Sequence, residues 1–374
     1  MTGTDSILAS ANTRFGFRIF KTLVDSQPDS NVIISPFSIS QALTMTYNGS
    51  AGATYDSMKK VLELSGMMDQ EINSSSMRLR ERLIRIDPKV TSSIANSIWH
   101  RSDAIVKDSF LEVNRTFFNA TVRGIDFDIP ASADTINQWV SDNTNGRITA
   151  MVKKPIDPLT LMILLNAVYF KGQWTYEFNK DSTRNGSFYK KGNVAVNCSM
   201  MRQIGYYNFY QHRLFQAVEL PYGFSDFGMV LLLPNGSMPV DSVVGALTPA
   251  NWNSWMDGLK PDTCYITLPK FKNEFDVMLN NALTKMGMGI AFDSADFSRI
   301  AATSLFISEV RHRTFFLVDE AGTEAAACTK VSLNFGGGPF ILTFNRPFLF
   351  VIWEKKSRSI LFIGKVAVPN PVGS

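Results

Sequence analysis

The sequence predicts an α+β fold, a single domain in which helices pack about a large β-sheet. Apolar residues recur at helical spacing from Asp5 to Val24, which predicts an amphipathic opening helix. Leu161 to Phe178 begins with a nearly continuous apolar run of short length, which Gly172 follows, and this predicts a strand buried on both faces. From Gly186 onward the chain is rich in strand-like segments. Since no linker, internal repeat or low-complexity segment interrupts it, we expect one domain over residues 1–374.

Composition excludes several classes of function. Hydrophobic content of 45% and charged content of 19% are ordinary for a soluble globular chain. A formal charge of +4 is too small to require a nucleic-acid partner, and no apolar stretch reaches membrane-spanning length. The three cysteines, Cys198, Cys264 and Cys328, give no disulfide framework and suit a reducing compartment. We expect a cytoplasmic protein or one secreted without a leader, and an extracellular one if a signal peptide has been removed.

Further elements follow from periodicity and from start and stop signals. The predicted strands are Val32–Ile34, Thr91–Trp99, Ile266–Phe271 and Ile307–Asp319, with a closing hairpin of Phe344–Trp353 and Ile360–Val368. The predicted helices are one that begins after Ser35 and Pro36, and Asp56–Leu64, Met77–Ile86, Asp134–Ile148, which ends at Asn145-Gly146, and Glu274–Met286.

One stretch, Asp319 to Pro347, has the properties of both a strand and an exposed loop. Small or apolar residues alternate with polar or small ones from Thr323 to Asn334, which is the period of a half-buried strand. Gly336-Gly337-Gly338-Pro339 follows, which a central strand does not tolerate. The pattern therefore suggests two states, in which the segment is first displayed as a loop and later inserted into a sheet.

This stretch carries a family resemblance. Glu320 to Thr329 reads E-A-G-T-E-A-A-A-C-T and resembles the hinge of the reactive-centre loop of serpins, usually E-x-G-T-E-A-A-A-x-T. Leu161 to Phe178 and Phe344 to Val368 also resemble serpin signatures, and such motifs follow in order along essentially the whole chain. The resemblance implies a serpin fold with three β-sheets, about eight or nine helices and an exposed reactive-centre loop, which with its flank spans residues 320–346.

The resemblance also implies a function. A serpin acts as a suicide substrate: a serine protease cleaves the loop, the loop inserts into the main sheet, and the protease stays trapped as a covalent acyl-enzyme. This implies a target serine protease as partner, no cofactor, no metal, and a monomer that can form loop-sheet polymers. No enzymatic activity is expected, since the chain has three histidines and lacks the common catalytic motifs.

Site residues are carried over position by position. In serpins the hinge enters the sheet first, the shutter is a polar cluster beneath the opening point, and insertion begins at the breach. The hinge positions are Glu320, Gly322, Thr323, Glu324, Ala325, Ala326, Ala327, Cys328 and Thr329, the shutter positions are Ser35, Pro36, Ser38, Asn166 and His312, and the breach positions are Trp174, Lys270 and Glu320.

Two adjacent bonds are candidates for cleavage. The family spacing falls on Gly336-Gly337, but glycine fills no specificity pocket, whereas Phe335 would fill a chymotrypsin-like one. We favour Phe335-Gly336 and chymotrypsin-like targets of the cathepsin G type. Gly336-Gly337 with an elastase- or subtilisin-like enzyme is the second choice, and inhibition of papain-like cysteine proteases stays open. Cys328 departs from the usual small hinge residue, although it is small enough to insert.

Two rival functions remain. A non-inhibitory serpin, acting as a carrier or chaperone, commonly has bulky, charged or proline residues in the hinge, which this chain lacks apart from the family's own Glu324. A glycosaminoglycan or other polyanion would bind the arginines of the Met77–Ile86 helix, although an ordinary solvated face explains them too. Those arginines are Arg78, Arg80, Arg82 and Arg85.

Overall fold

The computed structural model describes residues 1–323 and 338–371, except for the side chains of Ser92, Ser93 and Thr323. Within those ranges the chain forms nine α-helices. They are α1 (Gly3–Ser26), α2 (Pro36–Tyr47), α3 (Gly52–Val61), α4 (Asp69–Arg85), α5 (Asp108–Phe118), α6 (Ala131–Asn143), α7 (Val240–Ala246), α8 (Pro249–Gly258) and α9 (Asn280–Leu283). No helix of this described part combines the length and apolar character that crossing a membrane requires.

The ends of two helices follow from local chemistry. A capping box starts α1: the Thr2 side chain accepts a hydrogen bond from the Asp5 backbone N–H, and the Asp5 carboxylate accepts one from the Thr2 N–H. Asn145 and Gly146 both have positive φ, as the predicted stop signal requires. The helix α6 nevertheless ends before them, at Asn143.

A nine-stranded sheet holds most of the C-terminal half. Its strands are β1 (Val32–Ile34), β5 (Arg184–Lys190), β6 (Val194–Gln211), β7 (Phe215–Tyr222), β8 (Phe227–Pro234), β9 (Lys260–Pro269), β13 (Phe340–Thr343), β14 (Phe348–Glu354) and β15 (Ile360–Val366). Their order is β1-β15-β14-β8-β7-β6-β9-β13, and β5 pairs with β6. The closing hairpin is confirmed, since β14 and β15 pair antiparallel.

A six-stranded sheet holds the rest. Its strands are β2 (Val90–Arg101), β3 (Thr121–Ile125), β4 (Met162–Gln173), β10 (Phe271–Met278), β11 (Glu309–Val318) and the two-residue β12 (Gly322–Thr323). Their order is β10-β11-β4-β2-β3, and β12 pairs with β4. The predicted helix Glu274–Met286 is wrong at its start, because Glu274 lies in β10. The alternating burial of Phe271, Asn273 and Phe275 is a strand period, and α9 begins only at Asn280.

The three sheets that the resemblance implies are joined by hydrogen bonds into two. The long strand β6 is the connection, because its last four residues pair with β7 while the stretch from Met200 to Phe209 pairs with β9. The predicted mixture of helices about a large sheet is confirmed.

The centre of the six-stranded sheet is packed on both faces. On one face Phe316 of β11 stacks on Phe350 of β14, with ring centroids 4.8 Å apart, and contacts Phe362 of β15. On the other face Ile136 and Val140 of α6 join the buried cluster that contains Trp99, Leu165 and Tyr169 of the sheet. The prediction that β4 is buried on both faces is therefore confirmed.

Replacing Phe316 by Ala is expected to lower the free energy of unfolding by about 3–5 kcal/mol, because it opens a cavity between the two sheets. Urea unfolding followed by fluorescence measures the change. The matched control is Phe224→Ala: Phe224 is 63% exposed and its ring contact is with Lys89, so the expected loss is below about 1 kcal/mol. Equal unfolding midpoints for the two variants would contradict this packing role.

Candidate functional site

The candidate site is the line along which β4 and β11 meet, which we call the seam. The two strands are parallel and pair from Ile163 with Glu309 as far as Tyr169 with Phe315. Beyond that point β4 pairs on this side with β12, where Gly322 lies opposite Gln173 and Thr323 opposite Gly172. We call this upper end of the line the head of the seam. Since Gly322 and Thr323 are predicted hinge positions, the start of the hinge lies there.

The backbone just before β12 is held in place by the segment that follows β4. Trp174 donates from its indole N–H to the Asp319 carbonyl at 3.0 Å, and its backbone N–H donates to the Ala321 carbonyl at 3.1 Å. The Trp174 ring stacks on Tyr222, with centroids 4.3 Å apart. The predicted breach tryptophan therefore lies at the head of the seam and fixes the direction in which residues 319–321 leave β11.

Glu320 and Lys270, the predicted breach pair, form a salt bridge. Lys270 Nζ lies 2.8 Å from Glu320 Oε2, and the Thr183 hydroxyl donates to Glu320 Oε1 at 2.7 Å. Burial alone would raise the pKa of Glu320, but the hydrogen bonds from Lys270 and Thr183 outweigh it and lower the pKa. The carboxylate is therefore ionised at neutral pH and anchors the base of the hinge.

Gly322 fits the head of the seam because it has no side chain. Its φ is +134°, a conformation that L-residues rarely adopt. A Cβ there would lie 2.2 Å from the Gly172 carbonyl oxygen and 2.7 Å from the Trp174 backbone nitrogen. Since both obstacles are backbone atoms, no rotamer change can relieve the overlap.

The predicted shutter residues meet lower in the seam. His312 of β11 and Asn166 of β4 are register partners, and His312 Nδ1 lies 2.5 Å from Asn166 Oδ1. The Asn166 amide donates to the Ser38 hydroxyl and to the Ser38 carbonyl at 3.2 Å. Ser35 donates its backbone N–H to His312 Nε2 at 3.1 Å, and Pro36 is the first residue of α2.

These contacts determine the state of His312. Because Nε2 accepts a hydrogen bond, the proton lies on Nδ1, which donates to Asn166 across the seam. Complete burial lowers the pKa of His312 to about 3, so the ring is neutral at physiological pH. Separation of β4 from β11 must break this hydrogen bond.

Two contributors were missed in the sequence. Asn96 of β2 accepts a hydrogen bond from the Asn166 amide at 2.5 Å, and a buried polar residue in a predicted strand is the signal that could have identified it. Thr183 lies in a turn far from Glu320 in sequence, and no local pattern points to it.

The arginines of α4 do not form one exposed cationic face. Arg78 is bound to the buried Asp5 carboxylate at 2.7 Å, and Arg82 makes two hydrogen bonds, each 3.0 Å, to the buried Glu354. Burial lowers the pKa of Arg80, and only Arg85 of the four is exposed. The geometry favours a structural role for Arg78 and Arg82 over the predicted polyanion face.

The remaining predicted site residues lie outside the described residues. They are the hinge positions Glu324, Ala325, Ala326, Ala327, Cys328 and Thr329 and the candidate reactive bond residues Phe335, Gly336 and Gly337.

Comparison with known proteins agrees with this architecture. The family model described as serpin (serine protease inhibitor) matches residues 10–369. The human leukocyte elastase inhibitor is 32% identical, with 97% of this chain and 99% of that protein covered. Among solved structures, tengpin, a thermophilic serpin in the native state, has a TM-score of 0.88 at 30% identity, covering 96% of this chain and 94% of that one. Human thyroxine-binding globulin, complexed with thyroxine, has a TM-score of 0.90 at 27% identity, covering 98% and 100%.

The chain therefore belongs to the serpin family, whose members include serine protease inhibitors. The resemblance that the sequence predicts is confirmed over nearly the whole length.

Replacing Lys270 by Gln is expected to destabilise the protein by about 1–3 kcal/mol at pH 7, because it removes the cation from a mostly buried carboxylate. Urea unfolding of K270Q, E320Q and the double variant gives the coupling energy of the pair. Since the folded-state pKa of Glu320 is depressed, this coupling is present above the ordinary value of 4.5 and is lost as the pH falls through the lower folded-state pKa. A coupling energy of zero at pH 7 would contradict the anchor role.

Acid is expected to weaken the protein through His312. The folded-state pKa lies near 3 and the ordinary value is 6.5, so the unfolded chain binds the proton first and stability falls as the pH drops from 6.5 towards 3. One such group contributes a loss of about 2 kcal/mol between pH 7 and pH 5. Urea unfolding of wild type and H312Q across this range measures the difference. Parallel curves for the two proteins would show that His312 does not titrate this way.

Proposed function

We propose that this protein inhibits serine proteases as a suicide substrate whose cleaved loop inserts into the seam. The observation that carries the proposal is the position of β12: the first hinge residues already pair with β4 at the point where the β4–β11 ladder has ended. A strand that continues from Thr323 along β4 would separate β4 from β11 and take the place between them.

The hydrogen-bond geometry favours this insertion. A parallel ladder is slightly less stable per residue than an antiparallel one. An inserted strand would replace the one parallel ladder at the seam with two antiparallel ladders, one to each neighbour. The sequence is suited to the insertion because the residues from Thr323 to Asn334 include no proline, so that each can donate its backbone N–H.

Insertion would prevent the protease from completing the reaction that it begins on the loop. The serine of the protease attacks the loop and forms an acyl-enzyme with release of the new amine end. The freed loop then inserts and carries the attached protease away from its starting position. Deacylation needs a correctly aligned water and catalytic residues, and a displacement of about 1 Å can reduce the rate about a hundredfold.

The proposed targets are chymotrypsin-like proteases of the cathepsin G type, which would cleave Phe335-Gly336. An aromatic side chain in a deep pocket supplies the large apolar contact that such enzymes need. Cleavage at Gly336-Gly337 by an elastase-like enzyme is the alternative, and the relative named leukocyte elastase inhibitor supports testing it.

A carrier function is the second candidate, because the structure of thyroxine-binding globulin with thyroxine is among those that resemble this fold. The two functions differ in what happens after loop cleavage. An inhibitor forms a covalent complex and gains thermal stability as its loop inserts, whereas a carrier need do neither.

Incubation with chymotrypsin or cathepsin G is expected to give a band of summed mass on a denaturing gel, because the acyl bond survives boiling. Mass spectrometry of the released C-terminal peptide identifies the bond, and elastase and papain are tested in parallel. Replacing Gly322 by Ala is expected to shift the products at least fivefold from complex towards cleaved inhibitor, since the added Cβ excludes the hinge from the seam.

The matched control is Gly245→Ala, because a Cβ at Gly245 meets no atom within 4 Å. Its ratio of complex to cleaved product should equal that of wild type. Cleavage of wild type without either a covalent band or a gain in melting temperature would exclude the inhibitory mechanism and favour the carrier.

A further inference from the structure

A cavity of about 830 Å³ lies where five segments that are distant in sequence meet, and we call it the side cavity. None of the described residues that line it belongs to the seam strands β4, β11 and β12. Its volume lies within the range of about 300–1,000 Å³ that is typical of small-molecule sites. The residues that line it are 28–29, 189–193, 236–241, 345–347, 365, 367 and 368.

Arg346 is a half-buried cation of the side cavity whose protein partners are all uncharged. Its guanidinium donates to the Pro234 carbonyl at 2.6 Å and to the Asn345 side-chain oxygen at 3.5 Å. The Nε atom is buried and has no hydrogen-bond partner. Burial lowers the pKa of Arg346, and no carboxylate of the described residues offsets this effect. Since a guanidinium stays protonated in proteins, the cavity contains a desolvated positive charge that an anion would stabilise.

Two other cations of the side cavity have carboxylate partners within the protein. The side chain of Lys365 is fully buried, and its Nζ lies 3.4 Å from Asp241 Oδ1. Near the surface, Lys191 Nζ lies 2.7 Å from Asp29 Oδ1. Arg346 differs from both because its hydrogen bonds go to a backbone carbonyl and an amide oxygen. A bound anion would therefore have its counter-charge at Arg346.

Apolar side chains form another part of the wall of the side cavity. They come from the segment after α1, from the residues that lead into α7 and from the end of β15, and they are Pro28, Met238, Pro239, Val240, Ala367 and Val368. A small inorganic anion would leave this part of the wall in contact with water. An alkyl or aromatic body would bury it, and removal of apolar surface from water favours binding.

We propose that the side cavity binds a small organic carboxylate with an apolar body, and that Arg346 pairs with its carboxylate group. A planar guanidinium presents parallel N–H donors that match the two oxygens of a carboxylate. The apolar body lies against the wall that the prolines, Met238, Val240 and Ala367 form. The site is independent of the proposed inhibitory function, because no seam residue takes part in it.

Isothermal titration of the full chain with sodium octanoate, octan-1-ol and sodium acetate tests the chemistry of the site. Wild type should bind one equivalent of octanoate. Octan-1-ol, which has the same alkyl chain but no charge, should bind at least tenfold more weakly, and so should acetate, which has the charge but almost no apolar body. Absence of saturable octanoate binding, or equal affinities for octanoate and octan-1-ol, would overturn the proposal.

The variant Arg346→Gln tests whether this arginine pairs with the ligand. It should bind octanoate at least tenfold more weakly than wild type and bind octan-1-ol within twofold of wild type, so that the preference for the carboxylate disappears. The matched control is Arg115→Gln, an exposed position on α5, which should leave both affinities within twofold. An equal loss of both ligands in Arg346→Gln would show that Arg346 only supports the fold, and the assigned role would be wrong.

The variant Ala367→Phe tests the location of the ligand without changing any charge, and it decides the question if Arg346→Gln does not fold. The larger side chain takes up part of the cavity and should weaken octanoate binding at least fivefold. The control is Ala131→Phe at the exposed start of α6, which should stay within twofold of wild type. Unchanged octanoate binding by Ala367→Phe would place the ligand elsewhere and overturn the site.

Discussion

The short parallel ladder between β4 and β11 is the constraint on which the rest of the site depends. Both strands are paired on their outer sides, β4 with β2 along nearly its whole length and β11 with β10. Toward each other they pair only as far as Tyr169 and Phe315. The inner edge of β4 beyond Tyr169 is therefore a place where backbone donors and acceptors need a partner, and β12 supplies one.

Side chains hold this ladder closed at two heights. Lower in the seam the neutral His312 joins Asn166 across the two strands, and Ser35 and Ser38 connect the pair to the start of α2. At the head, Trp174 and Glu320 fix the turn that leads into β12. Each buried polar group in this chain of contacts has a partner, and a satisfied buried network favours one arrangement over its alternatives. Separation of β4 from β11 would break several of these hydrogen bonds at once.

Gly322 links the fold to the proposed mechanism. Its positive φ and its contact with the backbone of β4 allow the chain to turn from β11 into the seam without obstruction. Lys270 and Thr183, which anchor Glu320, lie beside this turn. The same few residues thus determine where the hinge begins.

Much of the fold could be predicted because it depends on local sequence patterns. The small residues of the hinge, the apolar run of β4 and the order of motifs along the chain each reflect local requirements of strands and turns, and they identified the α+β fold and the family. The breach and shutter positions were carried over from the family resemblance. The strand at Glu274 was misassigned because its alternation is short and polar residues weaken it, and pairing with β11 decided the outcome.

Only the tertiary structure decided which distant residues meet. Thr183 on Glu320, Asn96 on Asn166 and the ion pairs of Arg78 and Arg82 with Asp5 and Glu354 join residues far apart in sequence, and no local period specifies them. The sequence by itself determined that a period-two run of small residues precedes a run of glycines, a pattern that predicts a strand followed by a loop. The tertiary structure decided that the β4–β11 ladder ends at Tyr169 and Phe315 and that β12 pairs with β4 beyond it, because hydrogen bonding between strands depends on register, which sequence spacing alone does not define.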